Sequence, residues 1–227
     1  MSAEEILVRC AGVGRTYGSG AAATVALQDA NCELAAGARV ALVGPSGSGK
    51  STLLHLMAGL DTPTEGTVTW PAMGARAALR PGPVAVVFQG PSLMAPLSVQ
   101  ENVTLPLVLE GVDAGEADDR ARAMLERLDL LELADKLPEE ISGGQAQRAS
   151  VARALCGAPR LILADEPTGQ LDHANGGHVI ESLLEGARSA GAALVVSTHD
   201  PEISARLPER WEMAEGRLLA EPVGALS

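Results

Sequence analysis

Four short runs constrain this chain most: "RVALV" at 39–43, "VAVVF" at 84–88, "LILAD" at 161–165 and "ALVVST" at 193–198. Each is dominated by Val, Leu, Ile and Ala and bounded by Gly, Pro or polar residues. A strand with one wet face alternates apolar and polar residues, whereas a run without alternation is buried on both faces. Such strands belong to a parallel sheet covered by helices, so the runs predict an α/β protein. Helical stripes fall between them as that architecture requires. Ala121, Met124, Leu125 and Leu128 mark one, and Val179, Ile180, Leu183, Leu184 and Ala187 mark another.

The middle of the chain has a different texture. From about Leu93 to Ala154 no buried strand is legible, only helical pattern and an acidic turn, "EGVDAGEADDR". This stretch reads as a helical insertion. The segments "ILVRCAGVGRTYG" and "ALQDANCEL" read as shorter strands in an antiparallel flank. The expected plan is one domain over 1–227, with an α/β catalytic core at 1–90 and 156–227 and a helical subdomain at 91–155.

Composition narrows the function classes. A net charge of −12 repels a phosphate backbone, so nucleic acid is not an expected partner. The opening "MSAEEILVRC" has no basic region leading into an apolar core, and no apolar run approaches the ~18 residues of a membrane span. A cytoplasmic location is therefore expected. The cysteines, Cys10, Cys32 and Cys156, are odd in number and lack metal-ligand spacing, which suits a reducing compartment. Cys156 lies in an apolar helical run and reads as a small buried hydrophobe.

Two motifs carry chemistry. "GPSGSGKST", Gly44 to Thr52, fits the phosphate-loop pattern, follows an expected strand and opens an expected helix. Backbone N–H groups of Gly44, Pro45's neighbours Ser46 and Gly47, and Ser48 and Gly49 can turn toward phosphate oxygens, and the helix start adds partial positive charge. Lys50 should reach the β- and γ-phosphates, and the Ser51 hydroxyl should bind Mg²⁺. In "LILADE", the strand end places Asp165 at the carboxyl edge of the sheet as a Mg²⁺ ligand. Glu166 beside it can take a proton from an attacking water.

Gly44–Thr52, Gln89, "ISGGQ" at 141–145, "LILADEPTG" at 161–169, "LD" at 171–172 and "STHD" at 197–200 stand in the order found in ATP-binding-cassette (ABC) ATPases. The chain resembles that family over nearly its whole length. The resemblance implies a P-loop (RecA-like) fold: a mostly parallel sheet core, an antiparallel β flank and an inserted α-helical subdomain. It also implies ATP hydrolysis with Mg²⁺ as cofactor. Tyr17 resembles the aromatic residue that stacks on adenine. Gln89 looks like the glutamine that contacts Mg²⁺ and water and senses a membrane partner. His199 is similar to the histidine that touches the γ-phosphate, and Asp172 to the loop aspartate that joins two chains. His55, His173 and His178 match nothing in the pattern.

Ser142, Gly143, Gly144 and Gln145 begin a second helix whose amino end can hold an anion. One chain already has a cradle for its own ATP, so a second makes sense against the ATP of another copy. In the family two chains close head-to-tail, each completing the other's site. The partners implied are thus a second copy and an integral-membrane permease, with the chain held on the inner face of the cell membrane.

The departures are small. Ile141 replaces a commoner Leu, Gln170 stands where Asn or Ala is usual, and the segment from Gly66 to Phe88 looks short. The stretch "GPSLMAPLSVQENVTLPLVLEGV" resembles the subgroup of lipoprotein-releasing, macrolide-export and cell-division ATPases (LolD, MacB and FtsE types). Within it, Leu93, Met94 and Leu97 stand where an aromatic residue is usual and are expected to form an exposed apolar patch. Transport of a solute through the permease is the expected role. The alternative is an FtsE-like mechanical role without transport. A soluble ATPase of DNA repair or translation would carry coiled-coil or zinc insertions, or two cassettes, and none is present.

Overall fold

The structure, a computed structural model, describes residues 5–219. The acidic start Met1–Glu4, on which the reading of the N-terminus partly rested, lies outside the described residues. In chain order the elements are β1 (Ile6–Tyr17), β2 (Thr24–Ala35), β3 (Arg39–Val43), α1 (Lys50–Met57), β4 (Glu65–Thr69), β5 (Val84–Val87), α2 (Val99–Leu109), α3 (Ala114–Arg127), α4 (Gly143–Cys156), β6 (Leu161–Asp165), α5 (His173–Ala190), β7 (Ala193–Thr198), α6 (Pro201–Ser204), β8 (Glu209–Ala214) and β9 (Arg217–Leu218). One compact unit draws on Met1–Leu79 and Ala193–Ser227, and a second on Arg80–Ala192. Among the described residues no helix is long and apolar enough to cross a membrane.

The first unit holds the antiparallel flank, ordered β2-β1-β4. It also holds a parallel set in which β3 pairs with β7 on one side and β8 on the other. All of β7 and all but the first residue of β3 are buried, which is why both read as continuous apolar runs. Strand β8 was not expected. Its sequence alternates, with Trp211 and Met213 buried and Arg210 and Glu212 outward, so it carries no two-faced apolar run. Strand β9 is too short to leave a pattern and closes against β8 antiparallel. Cys10 and Cys32 face each other across β1 and β2 as free thiols. A hydrogen bond with Cys10, then burial, pushes the Cys32 thiol well above its ordinary pKa.

In the second unit β5 and β6 pair in parallel, Val84 opposite Leu161 and Val87 opposite Ala164. Helices α2, α3 and α4 bury a common core of Val99, Val103, Leu107, Ala117, Ala121, Leu125, Ala149, Ala152 and Cys156. Fully burying each of its larger aliphatic side chains is worth roughly 1.5–3 kcal/mol. The acidic turn has a structural use: Asp113 caps α3 by accepting from the N–H groups of Gly115 and Glu116. Burial pushes the Cys156 thiol up to about 11, in keeping with a small hydrophobe.

Candidate functional site

In the first unit, strand β3 leads into the loop at Gly44 and the loop ends at α1. Gly49 precedes α1 with φ 101°, a left-handed backbone that glycine adopts freely, and a Cβ there would lie 2.5 Å from the Ala26 carbonyl oxygen. No side chain caps the amino end of α1, and its first turn has no acidic residue. The partial positive charge of the helix start is thus not offset by a cap or an acidic residue of its own first turn. Lys50 is 4% exposed, and its Nζ donates to the carbonyl oxygens of Gly44 (2.9 Å) and Pro45 (3.2 Å). The buried Ser48 Oγ has no hydrogen-bond partner. A buried hydroxyl without a partner, beside an uncapped helix start, is what an anion-binding loop presents.

Helix α1 ends at a glycine cap. Gly59 takes φ 66°, its N–H donates to the Leu56 carbonyl, and the Leu60 N–H reaches back to the His55 carbonyl. At the end of β7, His199 is exposed and lines a cavity of about 430 Å³ together with Gly44, Pro45 and Glu212. The structure therefore brings His199 and the start of the phosphate loop to one cavity. Tyr17, 39% exposed at the end of β1, is placed elsewhere in this unit: its hydroxyl donates to Asp61 Oδ2 at 2.8 Å.

In the second unit, β6 is buried throughout and delivers Asp165 to its carboxyl end, 8% exposed. Glu166 follows with φ 41°, an uncommon backbone for a residue with a side chain, and the Gly169 N–H closes a turn onto its carbonyl. Strained backbone is kept only where the surroundings over-determine it. The Gln89 side chain packs at the same turn, because a Cβ at Gly169 would lie 3.2 Å from Gln89 Nε2. Gln89 and the Glu166 turn are thus brought together. Asp172 is exposed just before α5, while the side chain of His173 lies outside what is described.

The helix start at Ser142 behaves differently from the one at Gly49. The Ser142 Oγ accepts from the Gln145 N–H at 3.3 Å, and Gln145 Oε1 accepts from the Ser142 N–H at 2.8 Å. This capping box satisfies one amide of α4, that of Gln145, and the amide of Ser142 before it. Ser142 and Gly143 are exposed, and a Cβ on Gly143 would meet nothing within 4 Å. An accepting hydroxyl oxygen still has its own O–H to donate.

Sequence reasoning missed two sets of supporting residues. Gln147 Nε2 donates to the Phe88 carbonyl at 2.9 Å, and Arg153 Nη1 donates to the Ser92 carbonyl at 2.8 Å. Both come from α4 and bracket the segment containing Gln89. Burial lowers the Arg153 pKa. The second set is Arg15 and Asp61, around Tyr17. The only sequence signal for the first was the continuation of "SGGQ" into "AQRASVAR"; for the second there was none. Of the expected apolar patch, Met94 is exposed, while Leu93 and Leu97 are half-buried and Leu93 packs on the helical core.

Comparison with known proteins agrees with this geometry. Residues 27–169 match the ABC transporter family model. The lipoprotein-releasing system ATP-binding protein LolD of Gluconobacter oxydans is 42% identical over 219 residues, covering 93% of this chain and 95% of the relative. The dimeric post-hydrolysis structure of the ATP-binding cassette MJ0796, bound to ADP and Pi, superposes with a TM-score of 0.85 at 33% identity, covering 97% of this chain and 100% of the other. CbiO1 of Clostridium perfringens, part of the transporter complex cbiONQ, gives a TM-score of 0.83 at 27% identity, covering 96% of this chain and 89% of the other. Parallel strands, an antiparallel sheet, a phosphate loop and a Ser-Gly-Gly-Gln helix start all fall within those matches, and the chain belongs to the ABC transporter family as an ATP-binding, ATP-hydrolysing cassette.

Proposed function

We propose that this chain is the ATPase subunit of a LolD-type transporter, working as a pair with a second copy and docked on an integral-membrane permease at the inner face of the cell membrane. The observation that carries the catalytic part is the uncapped start of α1, with the buried Ser48 hydroxyl left without a partner. Kinship with LolD and with the dimeric MJ0796 cassette supports the pairing and the permease, and favours transport over a mechanical role.

In this reading the amides of Gly44–Thr52 hold the triphosphate, Lys50 balances the β- and γ-phosphates, and Tyr17 takes the base. Ser51, Gln89 and Asp165 would be the residues to hold the metal. All three offer oxygen, the donor that Mg²⁺ prefers, and one carboxylate is enough when phosphate oxygens complete the shell. Among the described residues no cluster of three His, Cys, Asp or Glu could hold a metal without a substrate, which fits that arrangement. When bound, Mg²⁺ would supply positive charge that offsets the charge of the phosphate oxygens. Glu166 takes the proton of the water that attacks the γ-phosphorus, the bond to the β-phosphate oxygen breaks, and ADP leaves with phosphate. His199 donates to the γ-phosphate. Ser142 to Gln145, with Asp172, close over the ATP of the partner copy. Residues 91–155 serve as the helical subdomain that carries this second motif.

The test is phosphate release by the purified chain with ATP and Mg²⁺, alone and with a candidate LolD-type permease. Activity that survives Lys50→Ala, or a chain that fails to co-purify with that permease, would sink the respective half of the reading. Met94→Glu should spare ATP binding and abolish co-purification.

A further inference from the structure

Arg15 and Tyr17 stand two residues apart near the end of β1, and Asp61 lies in the turn after α1. Asp61 Oδ2 accepts from the Tyr17 hydroxyl at 2.8 Å and from Arg15 Nε at 2.9 Å. Its Oδ1 accepts from the Thr62 N–H at 2.7 Å. The Arg15 guanidinium carbon lies 4.5 Å from the centroid of the Tyr17 ring. The tyrosine is therefore held at its tip by a carboxylate and on one face by a cation, and it still keeps 39% of its surface exposed. Asp61 itself is fixed: its N–H and that of Leu60 both reach the His55 carbonyl at the end of α1, and Arg76 Nε donates to the Gly59 carbonyl at 2.8 Å. Burial alone would raise the Asp61 pKa. The Thr62 amide, the Tyr17 hydroxyl and Arg15 outweigh it and hold the carboxyl below its usual range.

We infer that Arg15 and Asp61 are positioning residues for the nucleobase, holding the Tyr17 ring as a fixed stacking platform that reads the π-face of the base and not its edges. The inference rests on the reading of Tyr17 as the base-stacking residue. A ring immobilised before binding loses no further rotamer freedom when the base arrives. A cation against one face draws the ring's negative quadrupole toward itself, so the other face meets a π-cloud with less repulsion. The neighbours fill three of the roughly four acceptor sites of the Asp61 carboxylate, so it is committed to holding the platform and not to reading the edge of a base. Every base has a π-face, so stacking of this kind is tolerant of base identity. The anchor also comes from the turn that ends α1, the helix whose start follows the phosphate loop. Base platform and phosphate cradle are therefore attached to one helix.

The experiment measures ADP, GDP and pyrophosphate binding to the full chain by titration calorimetry, with the KM for ATP and kcat alongside. Tyr17→Ala should weaken ADP and GDP by about 5- to 150-fold, the usual worth of one stacked base. Tyr17→Phe and Asp61→Asn remove the same anchor from opposite ends. Each should weaken both nucleotides by about two- to fivefold, raise the KM for ATP and leave kcat unchanged. The double variant should bind no worse than the weaker single, since the two share one interaction. Arg15→Gln should weaken binding to a similar extent. Pyrophosphate affinity reports the phosphate loop alone and should be unchanged throughout. If Tyr17→Ala binds like wild type, the stacking reading falls and this inference with it. If Tyr17→Ala binds weakly but Tyr17→Phe and Asp61→Asn bind normally, stacking stands and the positioning role is overturned. Tighter binding by Arg15→Gln would mean that Arg15 covers the face the base needs, which also overturns it. A parallel loss of pyrophosphate affinity would show that the substitutions only loosen α1, and the inference would fail.

Discussion

The amino ends of α1 and α4 are both glycine-rich, yet they are built in opposite ways. Before α1 stands Gly49, left-handed and without a side chain to offer; before α4 stands Ser142, extended at φ −69° and ψ 159° and locked with Gln145 in a capping box. The first helix start leaves its dipole to whatever anion arrives. The second has capped two amides, those of Ser142 and Gln145, and keeps the Ser142 O–H and the exposed backbone at Gly143 for a guest. An anion at α1 would supply a missing cap, whereas one at α4 would meet a helix start that already has its own. The contrast predicts that α1 can hold an anion by itself, and that α4 does so only when something else holds the anion against it.

The largest effect should separate both helix starts from the chemistry. Glu166→Gln should slow ATP hydrolysis by about 10²–10⁴-fold, the worth of a positioned base, while ATP affinity at α1 is kept. With hydrolysis stalled, the variant should accumulate as an ATP-bound pair by size-exclusion chromatography. Turnover near the wild-type rate would move the base to another residue, Asp172 or His199 being the next to examine.

Next comes the division of labour itself. Lys50→Ala should weaken ATP binding to the single chain by about 10- to 150-fold, as loss of a hydrogen bond to a charged group costs ~1.5–3 kcal/mol. Ser142→Arg should leave single-chain affinity unchanged yet stop the pair from closing. Each alone should fail to trap nucleotide when the permease is present. In a mixed pair both lesions fall into one site and leave the other intact, so trapping should return to one nucleotide per pair. If mixing restores nothing, α4 acts on its own chain's nucleotide and the contrast between the two helices collapses.

The smallest effect tests the caps. Ser142→Ala removes the side-chain acceptor from α4 and should cost about 1 kcal/mol of stability in urea unfolding. Saturating ADP should stabilise the wild type through α1, and by the same increment in Ser142→Ala, because the nucleotide does not need the α4 cap in a single chain. An increment that shrinks in the variant would show that the two helix starts are coupled within one molecule.

How much of this was legible in the sequence depends on how far apart in the chain the cooperating atoms lie. The phosphate loop, the strand ending in Asp165 and the Ser142 helix start are each contiguous, so spacing alone exposed them. The strands β3, β6 and β7 were legible because two-sided burial removes alternation, and β5, half-buried at its centre, was legible from its apolar run alone. Strand β8 was not, since one outward face interrupts its apolar run at every second residue. The anchor of Tyr17 was hidden for another reason: Asp61 lies 44 residues away and has nothing in its local pattern to mark it. Gln147 and Arg153 were hidden likewise, 59 and 61 residues from their acceptors.

The two bonds from α4 to the segment around Gln89 have a mechanical consequence. Gln147 and Arg153 are six positions apart, about 9 Å along a helix axis, and they grip Phe88 and Ser92 on either side of Gln89. Two fastenings separated by that distance leave the Gln89 segment free only to turn about the line between them, so sliding it along α4 would have to break at least one of these bonds.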